Sequence, residues 1–252
     1  MLRLFPPPGG TLPVADTYAD PGWPAPGPER PYVALNMVST VDGKVAVGGG
    51  AAGIGSQADH ALMRQLRARA DAVMTGAGTL RAEDYSSKVP ERYVPERLAR
   101  GQSAQPLAVI VSGSGQLPAD RPLFWGAGFA RALVTGQRGA VAVDPAQAKH
   151  LQLVVAGEET VDLAVGLRLL RAEHGVRWLL GEGGPHLNHS LLAAGLVDEL
   201  FLTFAPKLVG SAGPTIVEGP PFQLAGAIPL TLLAAYADGS ELFFRYRVHH
   251  LL

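Results

Sequence analysis

The fold is decided by the stretch VRWLLGEGGPHLNHSLLAAGLVDELFLTFAPKLVG, which runs from Val176 to Gly210. An apolar run at Val176–Leu180 ends in a glycine turn, a helical pattern follows as far as Gly195, and a second apolar run covers Glu199–Ala205. This order of strand, turn, helix and strand is typical of a βαβ unit. The turn opens onto a helix N-terminus, where bare backbone and unpaired N–H groups attract phosphate. Glu182 lies inside the turn, and its negative charge predicts that a second, different ligand binds beside the first.

Further apolar runs of strand length alternate with helical patterns along the rest of the chain. The predicted strands are Tyr32–Val41, Asp71–Thr75, Leu107–Val111, Ala132–Thr135 and Gln152–Val155, the predicted helices are Ser56–Ala68 and Val161–His174, and a closing hairpin is predicted from Leu230–Ala235 and Leu242–Val248. Because strands that alternate with helices form parallel sheets, the pattern predicts an α/β fold. We expect a mostly parallel central sheet with helices on both faces and the antiparallel hairpin at its C-terminal edge. The polar and basic segment Ser86–Gln105 is predicted to be a long surface loop.

Composition narrows the class of protein. The chain has 252 residues, and 47% of them are hydrophobic. Its net charge of −1 gives no electrostatic reason to expect nucleic acid or an anionic membrane as a partner. It has no cysteine, which excludes disulfides, thiolate metal sites and cysteine nucleophiles. No apolar run approaches the length of a membrane span, so we expect a soluble cytoplasmic protein. The proline-rich residues 1–30 are predicted to form an arm, and residues 31–252 a single domain.

A second glycine turn, Gly76-Ala77-Gly78-Thr79, also follows a predicted strand and opens a helix. Its amides are candidates for holding a phosphate, although such a turn is as often plain structure. The full GxGxxG fingerprint is absent because Arg81 stands at its last position, and this disfavours a standard Rossmann site. Two glycine turns at strand ends indicate a ligand site more strongly together than either does alone.

Several polar residues have both a structural and a functional interpretation. Asp42-Gly43-Lys44 is either a plain turn or part of a ligand-binding site. Glu83-Asp84 is either charge on the surface at a helix end or part of the same ligand-binding site. Arg67 belongs to a solvated helix face or reaches inward to an anion from the edge of the apolar stripe. His186 and His189 are three residues apart on one predicted helix, but no third ligand is near them, so no metal site is predicted.

Four motifs occur in an order and spacing shared with a known family. They are Thr40-Val41-Asp42-Gly43-Lys44, Leu66-Arg67-Ala68, the run from Asp71 to Asp84, and the run from Gly181 to Gly210. Together they resemble the riboflavin-pathway pyrimidine reductases, the reductase half of the bifunctional deaminase-reductase, which have a dihydrofolate reductase-like fold. The resemblance covers residues 31–248, and the arm followed by Asn36-Met37-Val38-Ser39 is similar to a stand-alone subgroup of that family.

The resemblance implies hydride transfer from NADPH to a ribosylaminopyrimidine 5′-phosphate, whose ribose becomes a ribityl chain. Carried over by position, the cofactor-binding residues are Ser39, Gly76, Gly78, Thr79, Glu83, Ser112, Ser114, Gly183, Gly184, Pro185, His186 and Leu187. Asn36, Arg67 and Glu182 are the implied substrate-binding residues, with Arg67 on the phosphate and Glu182 on the ribose or base. Glu182 and Asp42 are the candidate proton donors. The resemblance also implies a homodimer that forms through sheet edges near the C-terminal strands. The apolar run Leu242–Val248 is either the surface of that contact or a strand of the core.

The chain departs from the pathway enzymes on the substrate side. It lacks the HxE and PCxxC motifs of the deaminase half, so no zinc is expected. Tyr85-Ser86 replaces a proline-containing turn of the family. Two alternatives therefore stay open: a dihydrofolate reductase-like oxidoreductase that acts on a pterin or small carbonyl compound, and a non-catalytic relative that binds NADPH.

Overall fold

The protein is described by a computed structural model that covers residues 1–48, 50–51, 53–210, 212–222 and 226–250. Within these residues the strands are β1 Leu2–Phe5, β2 Gly10–Thr11, β3 Tyr32–Thr40, β4 Ala72–Gly76, β5 Leu107–Val111, β6 Arg131–Thr135, β7 Gln152–Val155, β8 Trp178–Gly181, β9 Glu199–Ala205, β10 Leu230–Asp238 and β11 Glu241–Val248. The helices are α1 Val14–Thr17, α2 Gln57–Arg69, α3 Ala77–Ala82, α4 Val94–Ala99, α5 Pro122–Trp125, α6 Gln137–Ala140, α7 Pro145–Ala148, α8 Leu163–Glu173 and α9 Pro185–Ala193, with a 3₁₀ turn at Glu91–Tyr93.

All the strands belong to one sheet in the order β2-β1-β10-β11-β9-β3-β8-β4-β5-β6-β7. Every neighbouring pair from β9 to β7 is parallel, whereas β11, β10, β1 and β2 continue the sheet in antiparallel fashion. The predicted α/β class, with a mostly parallel sheet and antiparallel strands at one side, is confirmed. Strands β3, β8, β4 and β5 are consecutive neighbours, so their carboxyl ends meet at one edge.

The N-terminal arm adds strands to the sheet, which the sequence did not predict. Strand β1 pairs with β10, with Leu2 opposite Ala237, so the predicted β10–β11 hairpin forms but is not the outermost part of the sheet. The edge of β10 offers unpaired N–H and C=O groups, and pairing with the arm satisfies them. The division of the chain at residue 30 stays a prediction.

Alternating side chains of the strands form cores on both faces of the sheet. Val33 and Leu35 of β3 pack in the cluster that includes Leu167 of α8 and Leu191 of α9, whereas Ala34 packs in the cluster that includes Leu66 of α2. Both long predicted helices are present, and their first turns are capped by Ser56 and Asp162 respectively. No helix within the described residues has the length and apolar character needed to cross a membrane.

The prediction that Ser86–Gln105 is a long surface loop is wrong. The segment contains a 3₁₀ turn and α4, and Arg97 in α4 is fully buried. The basic composition suggested solvent exposure, but the Arg97 guanidinium is paired with backbone carbonyl groups at the end of α2. A charged side chain can be buried when it is paired in this way.

Glu199, at the start of β9, ties the arm to the sheet. Its side chain is 1% exposed and accepts both hydrogen bonds of a bidentate pair with Arg245, each 2.7 Å long. The Tyr32 hydroxyl donates to it at 2.8 Å, and the indole N–H of Trp23, in the arm, donates at 3.2 Å. The buried charge of Glu199 is therefore surrounded by donors.

Replacing Arg245 by methionine is expected to lower the free energy of unfolding by about 3 kcal/mol or more, because Glu199 would remain buried without its cationic partner. The double variant Arg245→Met, Glu199→Leu removes both charges and is expected to recover at least half of that loss. Denaturant unfolding of the two variants and the parent protein measures this. Equal losses in the single and double variants would contradict the role given to Glu199.

Candidate active site

The two glycine turns predicted from the sequence lie side by side at the carboxyl ends of β4 and β8. These strands are neighbours, with Met74 opposite Gly181. Beyond them, the Gly76 N–H donates to the Gly183 carbonyl at 2.8 Å, and the Thr75 hydroxyl donates to the same oxygen at 2.9 Å. The structure therefore joins the two turns into one backbone surface.

The glycines of this surface keep it free of side chains, and at Gly183 the backbone conformation itself favours glycine. Gly183 has a φ of +91°, a conformation that residues with a Cβ rarely adopt. At Gly184 a Cβ would lie 3.0 Å from the Thr79 hydroxyl oxygen, whereas at Gly78 it would project into open space. The first turns of α3 and α9 can therefore be approached closely by a ligand.

Helix α9 begins at Pro185, and no side chain of the described residues caps its first turn. Pro185 has no N–H, so the free donors of this turn are the amides of His186 and Leu187. These amides and the positive end of the helix dipole favour a negatively charged group. The surface therefore fits the phosphates of a nucleotide cofactor.

Arg67 and Glu182 form a buried bidentate ion pair beside this surface. The Arg67 Nε and Nη2 atoms donate to the two carboxylate oxygens of Glu182 at 2.7 and 2.6 Å, and the two side chains are 9% and 7% exposed. Arg67 is near the end of α2, but helical side chains lean towards the N-terminus, which lets it reach the carboxyl end of β8. Its Nη1 atom donates to the Ser86 carbonyl at 2.8 Å.

Tyr85 completes this cluster. Its hydroxyl donates to Glu182 Oε2 at 2.8 Å, and the Arg67 Cζ atom lies 5.3 Å from the centre of its ring. Burial, together with the Glu182 carboxylate, raises the pKa of Tyr85 well above its usual value, so the hydroxyl stays protonated and acts as a donor. Burial alone would lower the pKa of Arg67, but Glu182 and Tyr85 raise it above its usual value. Sequence reasoning did not assign Tyr85 to the site, and its position after the acidic pair was the available signal.

Asp42 caps a turn at the end of β3. Its carboxylate accepts hydrogen bonds from the Thr40 hydroxyl at 2.6 Å and from the Gly210 N–H at 2.8 Å, with a longer bond from the Val209 N–H. The Thr40 hydroxyl and these amides lower the pKa of Asp42 to about 2. A carboxyl group with this pKa carries no proton near neutral pH, which argues against the predicted role of Asp42 as a proton donor.

The other predicted residues lie at the carboxyl ends of the same neighbouring strands. Asn36 is half-buried in β3, and Ser39 is buried near the end of that strand. After β5, the Ser112 and Ser114 hydroxyl oxygens are 3.4 Å apart. In α/β sheets ligands bind at this edge.

Two predicted cofactor residues use their side chains for contacts within the protein. Glu83 Oε1 accepts a hydrogen bond from the Ala51 N–H at 2.6 Å. The His186 ring lies with Nδ1 2.9 Å from the Glu218 carbonyl oxygen, so the backbone of His186, not its ring, belongs to the first turn of α9. Among the described residues, no three side chains of His, Asp or Glu are grouped so that they could hold a metal ion.

Taken together, a mostly parallel sheet with two joined glycine turns at the carboxyl ends of its strands is an arrangement typical of nucleotide-binding α/β proteins. Residues 31–244 match the family model described as the RibD C-terminal domain, and the chain belongs to that family. The predicted resemblance is thereby confirmed.

Curated relatives include stand-alone reductases. The 2,5-diamino-6-ribosylamino-4(3H)-pyrimidinone 5′-phosphate reductase of Methanothermobacter thermautotrophicus is 33% identical over 223 residues, which cover 87% of this chain and 99% of the relative. The protein of the same name from Archaeoglobus fulgidus is 32% identical over 197 residues, with 77% and 89% covered. The family to which the chain belongs therefore includes reductases.

Solved structures share the fold. A pyrimidine reductase-like protein of Corynebacterium diphtheriae is 23% identical, with a TM-score of 0.77 and 96% of both chains covered. The riboflavin biosynthesis reductase Rib7 of Saccharomyces cerevisiae is 17% identical, with a TM-score of 0.69, and the match covers 90% of this chain and 94% of that one. The predicted fold class is confirmed by these similarities.

The stabilisation that Asp42 contributes should depend on pH with a known sign. Because its pKa in the folded protein, about 2, lies below the reference value of 3.8, the contribution is present above about pH 4 and is lost as the pH falls towards 2. The parent protein should therefore be more stable than Asp42→Asn at neutral pH, and the difference should shrink between pH 4 and pH 2. Urea unfolding of both proteins at a series of pH values measures it, and a difference that is constant with pH would contradict the turn-capping role.

Proposed function

We propose that this chain is an NADPH-dependent reductase that transfers a hydride to 2,5-diamino-6-ribosylamino-4(3H)-pyrimidinone 5′-phosphate, converting its ribose to a ribityl chain in riboflavin-type biosynthesis. The observation that carries the proposal is the position of the buried Arg67–Glu182 pair directly beside the joined glycine turns. Relatives that bear the name of this reductase are 33% and 32% identical and are covered over 99% and 89% of their length, which favours this pyrimidine as the substrate.

NADPH, when bound, supplies the hydride. The amides of His186 and Leu187 and the backbone at Gly183 and Gly184 would hold its pyrophosphate, because they form the uncapped start of α9. The remaining residues proposed to line the cofactor are Ser39, Gly76, Gly78, Thr79, Glu83 and Pro185, with Ser112 and Ser114 placed for the adenosine ribose or its 2′-phosphate.

The Arg67–Glu182 pair would bind the substrate. Tyr85 and Arg67 donate three hydrogen bonds to Glu182, and only one of them reaches Oε1, which leaves that oxygen free to accept a bond from the ribose or base. Arg67 uses three N–H groups in its bonds to Glu182 and Ser86, and the remaining two of the five on a guanidinium are available for the substrate phosphate. Asn36, on the adjacent strand β3, is proposed to contact the substrate.

A proton must accompany the hydride. Of the two predicted donors, Asp42 is held in its ionised form by the Thr40 hydroxyl and by backbone amides, and Glu182 accepts hydrogen bonds as the carboxylate partner of Arg67. We therefore propose that a water molecule in exchange with solvent donates the proton and that the Glu182 carboxylate orients this water. In this assignment the Tyr85 hydroxyl keeps the Glu182 carboxyl group in one orientation.

The protein is further proposed to act as a homodimer in the cytoplasm, where NADPH and phosphorylated intermediates occur. Of the two interpretations of Leu242–Val248, that of an interior strand agrees with the sheet, because β11 is paired on both sides, with β10 and β9, and offers no open edge. A face of the sheet is available instead: Phe244 lies between Phe204 and Tyr246, at ring distances of 5.7 and 5.8 Å, and all three are half-buried. Apolar aromatic faces of this kind favour association.

Purified protein is expected to oxidise NADPH when the 2,5-diamino-pyrimidinone ribose 5′-phosphate is added. Glu182→Gln should lower kcat/KM by about 100-fold, because the carboxylate interaction with the substrate is lost. Steady-state absorbance measurements test this. NADPH binding without consumption would favour the non-catalytic alternative, and equal turnover of the substrate without its phosphate would favour a different substrate; either result contradicts the proposal.

Gly183→Ala is expected to weaken NADPH binding by about 10-fold, because an alanine does not hold the backbone conformation that places the start of α9. Gly175→Ala is the matched control: Gly175 has a φ of +65°, and a Cβ there would meet nothing within 4 Å. Both variants should lose about 1–2 kcal/mol of stability. Calorimetric titration with NADPH separates them, and equal affinities for the two variants would contradict the cofactor site.

A further inference from the structure

The last turn of α2 is held by Arg97, a residue outside the site described so far. Arg97 Nη1 donates to the carbonyl oxygens of Arg67 and Ala68 at 3.1 Å each and to that of Ala70 at 2.7 Å. Its Nε atom donates to the Ser103 carbonyl at 2.9 Å. A cation at this position satisfies carbonyl groups that a helix end leaves unpaired, and it complements the helix dipole.

Two neighbouring side chains support the same helix end but do not contact Arg67. Arg100 Nη2 donates to the Ala68 carbonyl at 2.7 Å, and Gln102 Nε2 donates to the Arg69 carbonyl at 2.9 Å. The segment 97–102 therefore binds the carbonyls of the last turn of α2, and within this set the bond to the Arg67 carbonyl is made by Arg97.

The Arg97 guanidinium is buried and not fully paired. The residue is fully buried, and its Nη2 atom has no hydrogen-bond partner within the described part of the chain. Burial lowers the pKa of Arg97 to about 10, so the side chain is still cationic at neutral pH. The cost of burying this charge is offset by its bonds to backbone carbonyls, which an apolar side chain would leave unpaired.

Arg67 is held from two sides, by Arg97 and by Ser86. Its carbonyl accepts from Arg97, and its guanidinium donates to the Ser86 carbonyl at 2.8 Å as well as to Glu182. The guanidinium lies at the end of a long side chain, so a small shift of the helix end changes its distance from Glu182. Hydrogen bonds weaken beyond about 3.2 Å, and misplacement by about 1 Å can cost about 100-fold in rate.

We propose that Arg97 is a positioning residue of the reductase, which fixes the end of α2 so that the Arg67 guanidinium meets Glu182 and Ser86. Its kinetic consequence rests on the proposed function, whereas its structural consequence does not. Arg97 acts on the substrate side, because the cofactor surface is formed by the turns after β4 and β8 and by the start of α9.

The test uses Arg97→Met and Arg97→Lys in the full chain. Arg131→Met is the matched control: Arg131 is also buried and donates to backbone carbonyls, including that of Phe124 in α5 at 2.6 Å, but it lies on β6, which β4 and β5 separate from β8. The first measurement is the hydrogen exchange rate of the Arg67 Nε–H by nitrogen-15 NMR, which requires no turnover. The second is the set of kcat, KM for the pyrimidine and Kd for NADPH.

For Arg97→Met, we expect exchange of the Arg67 Nε–H to accelerate about 10-fold or more and KM for the pyrimidine to rise about 10-fold, with the Kd for NADPH within about 2-fold of the parent value. Arg97→Lys should give an exchange rate and a KM between those of the parent protein and Arg97→Met. The same two measurements on Arg97→Lys test the proposal if the methionine variant does not fold. Arg131→Met should lose stability without either change. Exchange and KM that stay at parent values in the Arg97 variants would overturn the proposal. A parent protein that does not turn over the pyrimidine would overturn the proposed function, and the exchange measurement would still decide the position of Arg67.

Discussion

The bidentate pair between Arg67 and Glu182 is the interaction on which the site depends. Two charges are stable in a buried position only when their hydrogen bonds are satisfied, and here the Tyr85 hydroxyl and the Ser86 carbonyl complete the set. The pair joins α2 to the turn after β8, and thereby sets the distance between the helix proposed to face the substrate and the backbone proposed to face the cofactor. Removing either partner would leave the other charge buried and alone.

The order of the strands explains why this pair lies beside the glycine turns. Strands β3, β8, β4 and β5 are neighbours although they are far apart along the chain, and their carboxyl ends form one edge. The bond from the Gly76 N–H to the Gly183 carbonyl links the turns at that edge. In the proposed site, this backbone surface holds the cofactor while the Glu182 side chain is paired with Arg67 and Tyr85, which accounts for a carboxylate next to a turn proposed to bind phosphate.

Local patterns in the sequence were sufficient to predict the parallel part of the sheet and the two long helices. The spacing of apolar residues and capping residues such as Ser56 can both be read from a few neighbouring positions. Strand β1 was missed because its four residues are too few for a clear pattern beside a proline-rich stretch, and its pairing with β10 depends on a partner from the other end of the chain. Burial of Arg97 was missed for a similar reason, since its carbonyl partners belong to another helix. For the site, the sequence was sufficient to predict the residue types and the two glycine turns. The pairing of Arg67 with Glu182, 115 residues away, required the folded chain.

In the proposed reaction a hydride passes from the nicotinamide ring to the ribose carbon of the pyrimidine substrate. Turnover with NADPH carrying deuterium at C4 of the nicotinamide, followed by mass spectrometry of the product, is the most direct test. The ribityl chain of the product is expected to contain one deuterium at C1′ when the transferred position is labelled and none when the opposite position is labelled. A product that forms without deuterium from either label would contradict the proposed reaction.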